Sequence, residues 1–213
     1  TGFHSNDGRN AVTSLVRTVG SEVGVRTSVI PRLQSTLALW ALDIDSELVF
    51  AGDTATTEAS GASRRTGVEW SNNVRISDHI LFDADLAYSK ARLRTGDRIP
   101  GALEGVASAG VSFHDLGRLS GSLRDRYLGP RPLIEDNSVR SARSNLVTAT
   151  LGYDITRHYR MIVDGLNLLN ARVSDVDYYY ASRLPGEPLG GVNDIHTHPV
   201  EPRTLRLRFE AAF

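Results

Sequence analysis

Apolar and polar residues alternate along this chain with a period of two. Val23, Val25, Thr27 and Val29 alternate with Glu22, Gly24, Arg26 and Ser28. Trp40, Leu42 and Ile44 alternate with Ala41, Asp43, Asp45 and Glu47. Val68, Trp70, Val74 and Ile76 alternate with Gly67, Glu69, Asn73 and Arg75, and only Asn72 interrupts the apolar set. Ile80, Phe82, Ala84, Leu86 and Tyr88 continue the pattern. It recurs in residues 107–113, 119–127 (Asp125 being an exception on the apolar side) and 147–155. Residues 159–169 hold no clean phase, which predicts a bulge. The chain closes on Leu205, Leu207, Phe209, Ala211 and Phe213, with Arg206, Arg208, Glu210 and Ala212 between them. Successive side chains of a strand point to opposite faces, so this pattern predicts nine strands, each with an apolar and a polar face.

The connections alternate as well. Pro31-Arg32, Ser77-Asp78, Asp115-Leu116-Gly117 and Arg157-His158 read as tight turns. Between them lie long polar loops at 51–63, 94–104, 129–144 and 176–202, and the polar segment 1–20 precedes the first strand. A transmembrane barrel has short turns on one side and long loops on the other. Several strands reach ~10 residues, enough to cross a bilayer at a barrel tilt and longer than the ~5–6 usual in globular sheets. Trp40, Tyr88, Tyr127, Phe209 and Phe213 lie near the ends of apolar faces, where interfacial girdles are found. A soluble sandwich or barrel with its apolar face inward also satisfies the alternation. Loop order and strand length favour the membrane arrangement, in which the polar face lines a lumen and closure leaves no unpaired edge in lipid.

Composition adds mostly exclusions. The 213 residues carry a net charge of −1, so no basic excess points to a nucleic-acid partner. With no cysteine, disulfides and thiolate metal sites are excluded. No apolar run approaches the ~20 residues of a spanning helix, and no signal peptide is visible at the start. The sequence contains no G-x-S-x-G, H-E-x-x-H or P-loop, and no enzymatic activity or cofactor is expected. A Ser–His pair assembled across strands, as in an outer-membrane barrel enzyme, lies beyond what spacing reveals.

Five segments together carry a family resemblance. ELVFAGDTATTEASGASRRTGVEWSNNVRI, IPGALEGVASAGVSF, RYLGPRPLIEDNSVRS, DGLNLLNARVSDVDYYYASRLPGEP and HPVEPRTLRLRFEAAF resemble, in this order, the carboxy-terminal barrel of TonB-dependent outer-membrane receptors. The resemblance implies an all-β, antiparallel up-and-down meander of about nine long strands within a 22-stranded, plugged transmembrane barrel. At about 24 residues per strand, such a barrel needs roughly 520 residues. Residues 1–213 are therefore expected to be the C-terminal segment of a larger receptor, with the plug and earlier strands absent. The implied function is energised uptake of a scarce ligand, such as a siderophore-like chelate, cobalamin or another nutrient. The implied partners are outer-membrane lipid, the ligand, the TonB complex through a missing N-terminal region, and the barrel-assembly machinery. That machinery is expected to read the last strand through Leu205, Leu207, Phe209 and Phe213.

Several polar clusters invite a chemical role. Asp43, Asp45 and Glu47, at i, i+2 and i+4, would share a strand face and present three carboxylates to a hard cation. A solvated lumen wall is the favoured explanation. Asp83 and Asp85 pose the same alternative, with Arg75 as a balancing charge. Asp194, His196 and His198 form a D-x-H-x-H run that could ligate a transition metal or serve as ordinary loop polarity. Tyr178, Tyr179 and Tyr180, beside Asp175, Asp177 and Arg183, offer stiff amphipathic area suited to ligand capture or to a membrane interface. Arg131, Arg140 and Arg143 would together attract an anionic chelate, although each one singly reads first as solvated loop charge.

Overall fold

The computed structural model describes residues 2–5, 15–51 and 56–212, and every regular element among them is a strand. The strands are β1 (Gly2–Ser5), β2 (Leu15–Thr27), β3 (Leu33–Ile44), β4 (Leu48–Ala51), β5 (Thr56–Ala59), β6 (Ser63–Arg75), β7 (Ile80–Leu93), β8 (Gly105–Leu116), β9 (Leu119–Leu128), β10 (Ser144–Asp154), β11 (Tyr159–Leu166), β12 (Ser174–Ser182), β13 (Val192–Pro199) and β14 (Thr204–Ala211). Ten of them form one antiparallel sheet in the order β1-β2-β3-β6-β7-β8-β9-β10-β11-β14. The nine predicted strands are the long strands of this wall, and β1 adds a short piece beside β2. The hairpins β4–β5 and β12–β13 stand apart from it, in connections that begin earlier than the polar loops read at 51–63 and 176–202.

Short and long connections alternate as expected, so the wall has a turn end and a loop end. At the β8–β9 turn, Asp115 (φ 52°) and Gly117 (φ 66°) adopt the left-handed conformation that reverses the chain tightly. The polar segment expected through residue 20 is shorter than that, because β2 already begins at Leu15.

Register assigns the faces. One outward row runs Val25–Leu37–Trp70–Leu86–Ala107–Tyr127, and another runs Leu33–Val74–Phe82–Val111–Leu123–Ala149–Gly165–Leu205. Leu205, Leu207 and Phe209 are 72%, 68% and 63% exposed, so water-facing burial does not explain their apolar character. Tyr159 stacks on Phe209 at 5.7 Å between ring centroids. Asp125 does lie on this outward face, between Ala109 and Val147.

The opposite face is a web of polar side chains. Arg124 pairs with Asp83, Ser71 donates to Asp85, and Asp164 accepts from both Thr150 and Arg208. Arg75 does not balance Asp83 as expected; it stands opposite Leu81, and Arg124 takes that role.

Two phase assignments need correction. Trp40, Leu42 and Ile44 face inward, opposite Gly67, Arg65 and Ser63, while Leu37 and Leu39 carry the outward phase opposite Trp70 and Val68. The run Leu37–Leu42 is apolar at both parities, so only its neighbours fix which face is which. Trp40 is therefore no girdle residue; its indole lies over Gly67, where a Cβ would come within 2.5 Å of the ring. The bulge expected in residues 159–169 is also absent. β11 pairs without a shift to β10 and β14. The phase is blurred because Ile162 occupies the inner face and the strand ends at Leu166. Asn167 (φ 47°) and Asn170 (φ 51°) then turn the chain, the Asn167 side chain bonding the backbone of Ala171 and Glu201. Register shifts occur instead in β8, between Phe113 and Leu116, and at the start of β12.

Candidate functional site

At the loop end, the connections form an ordered layer with its own small core. Ala91 and Leu93, at the end of β7, pack with Ile99 from the following loop, and Val49 and Ala102 close over them. Pro132 and Leu133 from the β9–β10 loop are buried beside this layer. Glu104 ties two loops together. Its carboxylate accepts from Arg98 at 2.9 Å and pairs with Arg140 at 2.5 Å. Arg140 also donates to Asn137 and to the carbonyl of Pro130.

Arg131 performs the same task for the β12–β13 hairpin. Its guanidinium donates to the Asp175 carbonyl at 3.0 Å and lies 3.7 Å from the Asp177 carboxylate, which is 6% exposed. Glu47 is buried at the top of the wall, accepting from Ser63 at 2.5 Å and from Arg65 at 2.9–3.0 Å. The buried carboxylates of Glu47 and Asp177 are each matched by an arginine, as burial requires, while the Arg65, Arg98 and Arg140 guanidinium groups stay partly in water.

A cavity of about 560 Å³ opens beneath this layer. Glu47, Arg65, Arg131, Asp177, Tyr178 and Tyr179 bring polar groups to it, while Ile99, Leu103 and Leu133 supply apolar wall. This mixture of apolar wall with a few oriented polar groups is typical of small-molecule pockets.

The structure divides the predicted clusters. Tyr178 and Tyr179 line the cavity, whereas Tyr180 stacks on His196 at 3.8 Å between centroids. Asp194, His196 and His198 stand opposite Tyr180, Tyr178 and Val176, on one hairpin face. His196 Nε2 lies 3.3 Å from the Tyr180 carbonyl. Among the described residues, no three His, Asp or Glu side chains converge as a metal-holding group. Asp43, Asp45 and Glu47 do not share a strand face, because β3 ends at Ile44. Asp43 turns outward to Arg94, and Glu47 turns into the cavity wall. Arg131 and Arg140 are structural ties of the loop layer, and Arg143 is exposed. Asp136, at a loop turn, is held below the usual carboxylate pKa by hydrogen bonds from the Ser138 backbone N–H and side chain. Leu205 and Leu207 are outward on β14 beside β11; Phe213 lies outside the described residues. Sequence reasoning passed over Arg65, Arg98 and Glu104. No local pattern marks them: Arg98 meets Glu104 within one folded loop, Arg140 joins them from another, and Arg65 meets Glu47 from strand β6.

An antiparallel meander of long strands, apolar outward and ion-paired inward, with turns at one end and packed loops at the other, defines a segment of β-barrel wall. The chain belongs to the TonB dependent receptor-like, beta-barrel family, whose model matches residues 16–174. Members of that family are outer-membrane proteins of Gram-negative bacteria that bind a small-molecule ligand and TonB, and they are receptors and transporters rather than enzymes.

Solved structures of similar fold include the ferric-catecholate import receptor Fiu from E. coli K12 (22% identity, TM-score 0.69, 99% of this chain and 30% of that one). The ferric yersiniabactin uptake receptor FyuA from Yersinia pestis is similar over 94% of this chain and 30% of its own (18% identity, TM-score 0.71). The copper transporter OprC is similar over 98% of this chain and 33% of its own (17% identity, TM-score 0.71). The chain thus spans about a third or less of the length of these receptors. A search of curated proteins finds no match.

Proposed function

We propose that residues 1–213 form the carboxy-terminal part of the barrel wall of an outer-membrane receptor, which takes up a scarce small-molecule ligand with energy from TonB. The carrying observation is the two-faced wall: exposed Leu205, Leu207 and Phe209 on one side, and the Arg124–Asp83 and Arg208–Asp164 pairs on the other. An apolar exterior suits lipid, and a paired polar interior suits a plugged lumen. TonB contact and the plug belong to parts of the receptor outside this chain. The last strand, with Leu205, Leu207, Phe209 and Phe213, is the segment presented to the barrel-assembly machinery.

The cavity under the loops is the candidate capture site. Tyr178 and Tyr179 offer stacking area, and the Arg65–Glu47 and Arg131–Asp177 pairs offer fixed donors and acceptors without net charge. Arg143, exposed on the surrounding loop, is the cation that would draw in a chelate carrying negative charge, while Arg140 is held by Glu104. The Asp194, His196 and His198 run is assigned to hairpin structure rather than to a metal.

The test is uptake by cells that depend on the full-length receptor, supplied in turn with radiolabelled ferric catecholate, ferric hydroxamate, ferric citrate and cobalamin. Transport of one of these that requires TonB and falls in a Tyr178→Ala, Tyr179→Ala double variant supports the reading. Uptake of none, with the protein recovered in the aqueous phase of a detergent extraction, refutes it.

A further inference from the structure

At the turn end of the wall, the β6–β7 and β8–β9 turns place two histidines side by side. Ile80 stands opposite Phe113, and the ladder continues one residue further, the His114 N–H donating to the His79 carbonyl at 3.0 Å. His79 and His114 are therefore a directly opposed cross-strand pair, on the face opposite to Ile80 and Phe113. Their rings meet edge to face, with centroids 6.0 Å apart and planes at 65°. The register shift between Phe113 and Leu116 falls at this point, and such a shift re-aims the side chains it carries.

Asp115 sets the His114 ring. Its carboxylate lies 3.0 Å from His114 Nδ1; a carboxylate only accepts, so Nδ1 carries the proton and Nε2 of the neutral ring keeps a free lone pair. Imidazoles that ligate a metal usually donate their second ring nitrogen to a carboxylate in this way, which fixes the tautomer and raises the basicity of the ligating nitrogen. Neither the His79 ring nor His114 Nε2 makes a hydrogen bond among the described residues, and both side chains are exposed. Asp78 adjoins His79 in the chain. The cations of this end are Arg75, opposite Leu81, and Arg32 and Arg118, which donate to the carbonyls of Ile76 and Ile155. Among these charges only the Asp115 carboxylate contacts either ring. Two imidazoles bound to one metal at about 2.0–2.1 Å have centroids about 5 Å apart at a tetrahedral angle. Rotation of two exposed side chains closes the difference, the backbone being already fixed by the ladder.

We propose that His79 and His114 form a two-histidine site for a borderline divalent transition metal, Cu(II) or Zn(II). Imidazole nitrogen favours these ions, whereas calcium and magnesium take oxygen ligands. Asp115 is the positioning residue. Two protein ligands are fewer than the four of a structural zinc site, so the metal exchanges with solution, and while bound it joins the two turns. The site depends on the turns alone and not on what the cavity under the loops captures.

The experiment is titration of the detergent-solubilised full-length receptor with Cu(II) alone, read by calorimetry and by electron paramagnetic resonance. Wild-type receptor is expected to show the nitrogen splitting of two imidazoles on one copper. His79→Gln and His114→Gln are each expected to lose that signal and to bind copper there at least about tenfold more weakly. Asp115→Asn, which suits the left-handed backbone of this position (φ 52°), is expected to keep the two-nitrogen signal with affinity lowered about tenfold. His196→Gln, on the loop hairpin, is expected to leave both readouts unchanged. Heat-modifiable mobility on the same samples separates loss of the site from loss of the fold. Equal binding and identical spectra in wild type, His79→Gln and His114→Gln overturn the proposal, as does a wild-type signal from a single imidazole. Unchanged affinity in Asp115→Asn overturns the positioning role of that carboxylate.

Discussion

Arg124 on β9 reaches across β8 to Asp83 on β7, closing a contact at 2.8 Å directly over Gly110. The guanidinium needs the space a side chain on β8 would fill: a Cβ at residue 110 would lie 2.8 Å from the Arg124 terminal nitrogen and 3.1 Å from the Asp83 carboxylate. Three strands are joined on the lumen face by one ion pair because the middle one carries glycine.

Gly110→Val is accordingly expected to lower barrel stability more than Arg124→Ala. The valine displaces the pair and strains the wall, whereas Arg124→Ala leaves a partly hydrated Asp83 at a cost of about 1 kcal/mol. The midpoint of heat-induced mobility change on gels, measured for both variants, checks the order.

The two tryptophans face opposite sides of the wall, Trp40 inward over Gly67 and Trp70 outward at 45% exposure. Brominated lipid is expected to quench Trp70 and spare Trp40. Fluorescence of reconstituted barrel should therefore stay quenchable in Trp40→Phe and lose that response in Trp70→Phe. The reverse outcome would restore the phase suggested by the sequence alone.

Glu104 joins its own β7–β8 loop to the β9–β10 loop through Arg140 and braces the β7–β8 loop internally through Arg98. Glu104→Ala leaves two half-buried guanidinium groups without their shared carboxylate, at a cost of about 2–3 kcal/mol. The loss falls on the loop layer, not on the wall. Limited trypsinolysis should cleave near Arg98, Arg140 and Arg143 several times faster, with unchanged heat-modifiable mobility.

Leu207 lies outward opposite Val163, and its neighbour Arg206 lies inward opposite Asp164. Leu207→Arg places a charge in lipid at about 2–4 kcal/mol if near the midplane. Arg206→Leu places an apolar group toward the lumen and is expected to be milder. The yield of folded barrel in isolated outer membranes distinguishes them, and equal yields would count against a lipid-facing Leu207.

Much of the architecture is legible locally. A period of two needs only the pleat of a strand, and the alternation of short and long connections needs only the order of turns. Together they specify nine long antiparallel neighbours in chain order, along with the outward setting of Leu205, Leu207 and Phe209. Tyr178 and Tyr179 lie on a hairpin that forms locally, but they line the cavity because Arg131 of a separate loop ties that hairpin down.

What tertiary structure alone decided is whatever depends on registration between segments. Leu37–Leu42 is apolar on both faces, so only pairing with Val68 and Trp70 sets Trp40 inward. Asp83 finds Arg124 two strands away instead of Arg75, since a charge selects its partner by distance across the sheet and sequence separation carries no such information. Arg98, Arg140 and Glu104 meet because two connections fold onto one another above a buried Ile99. Local pattern determines which way a side chain can point; the packing of distant segments determines what it meets there.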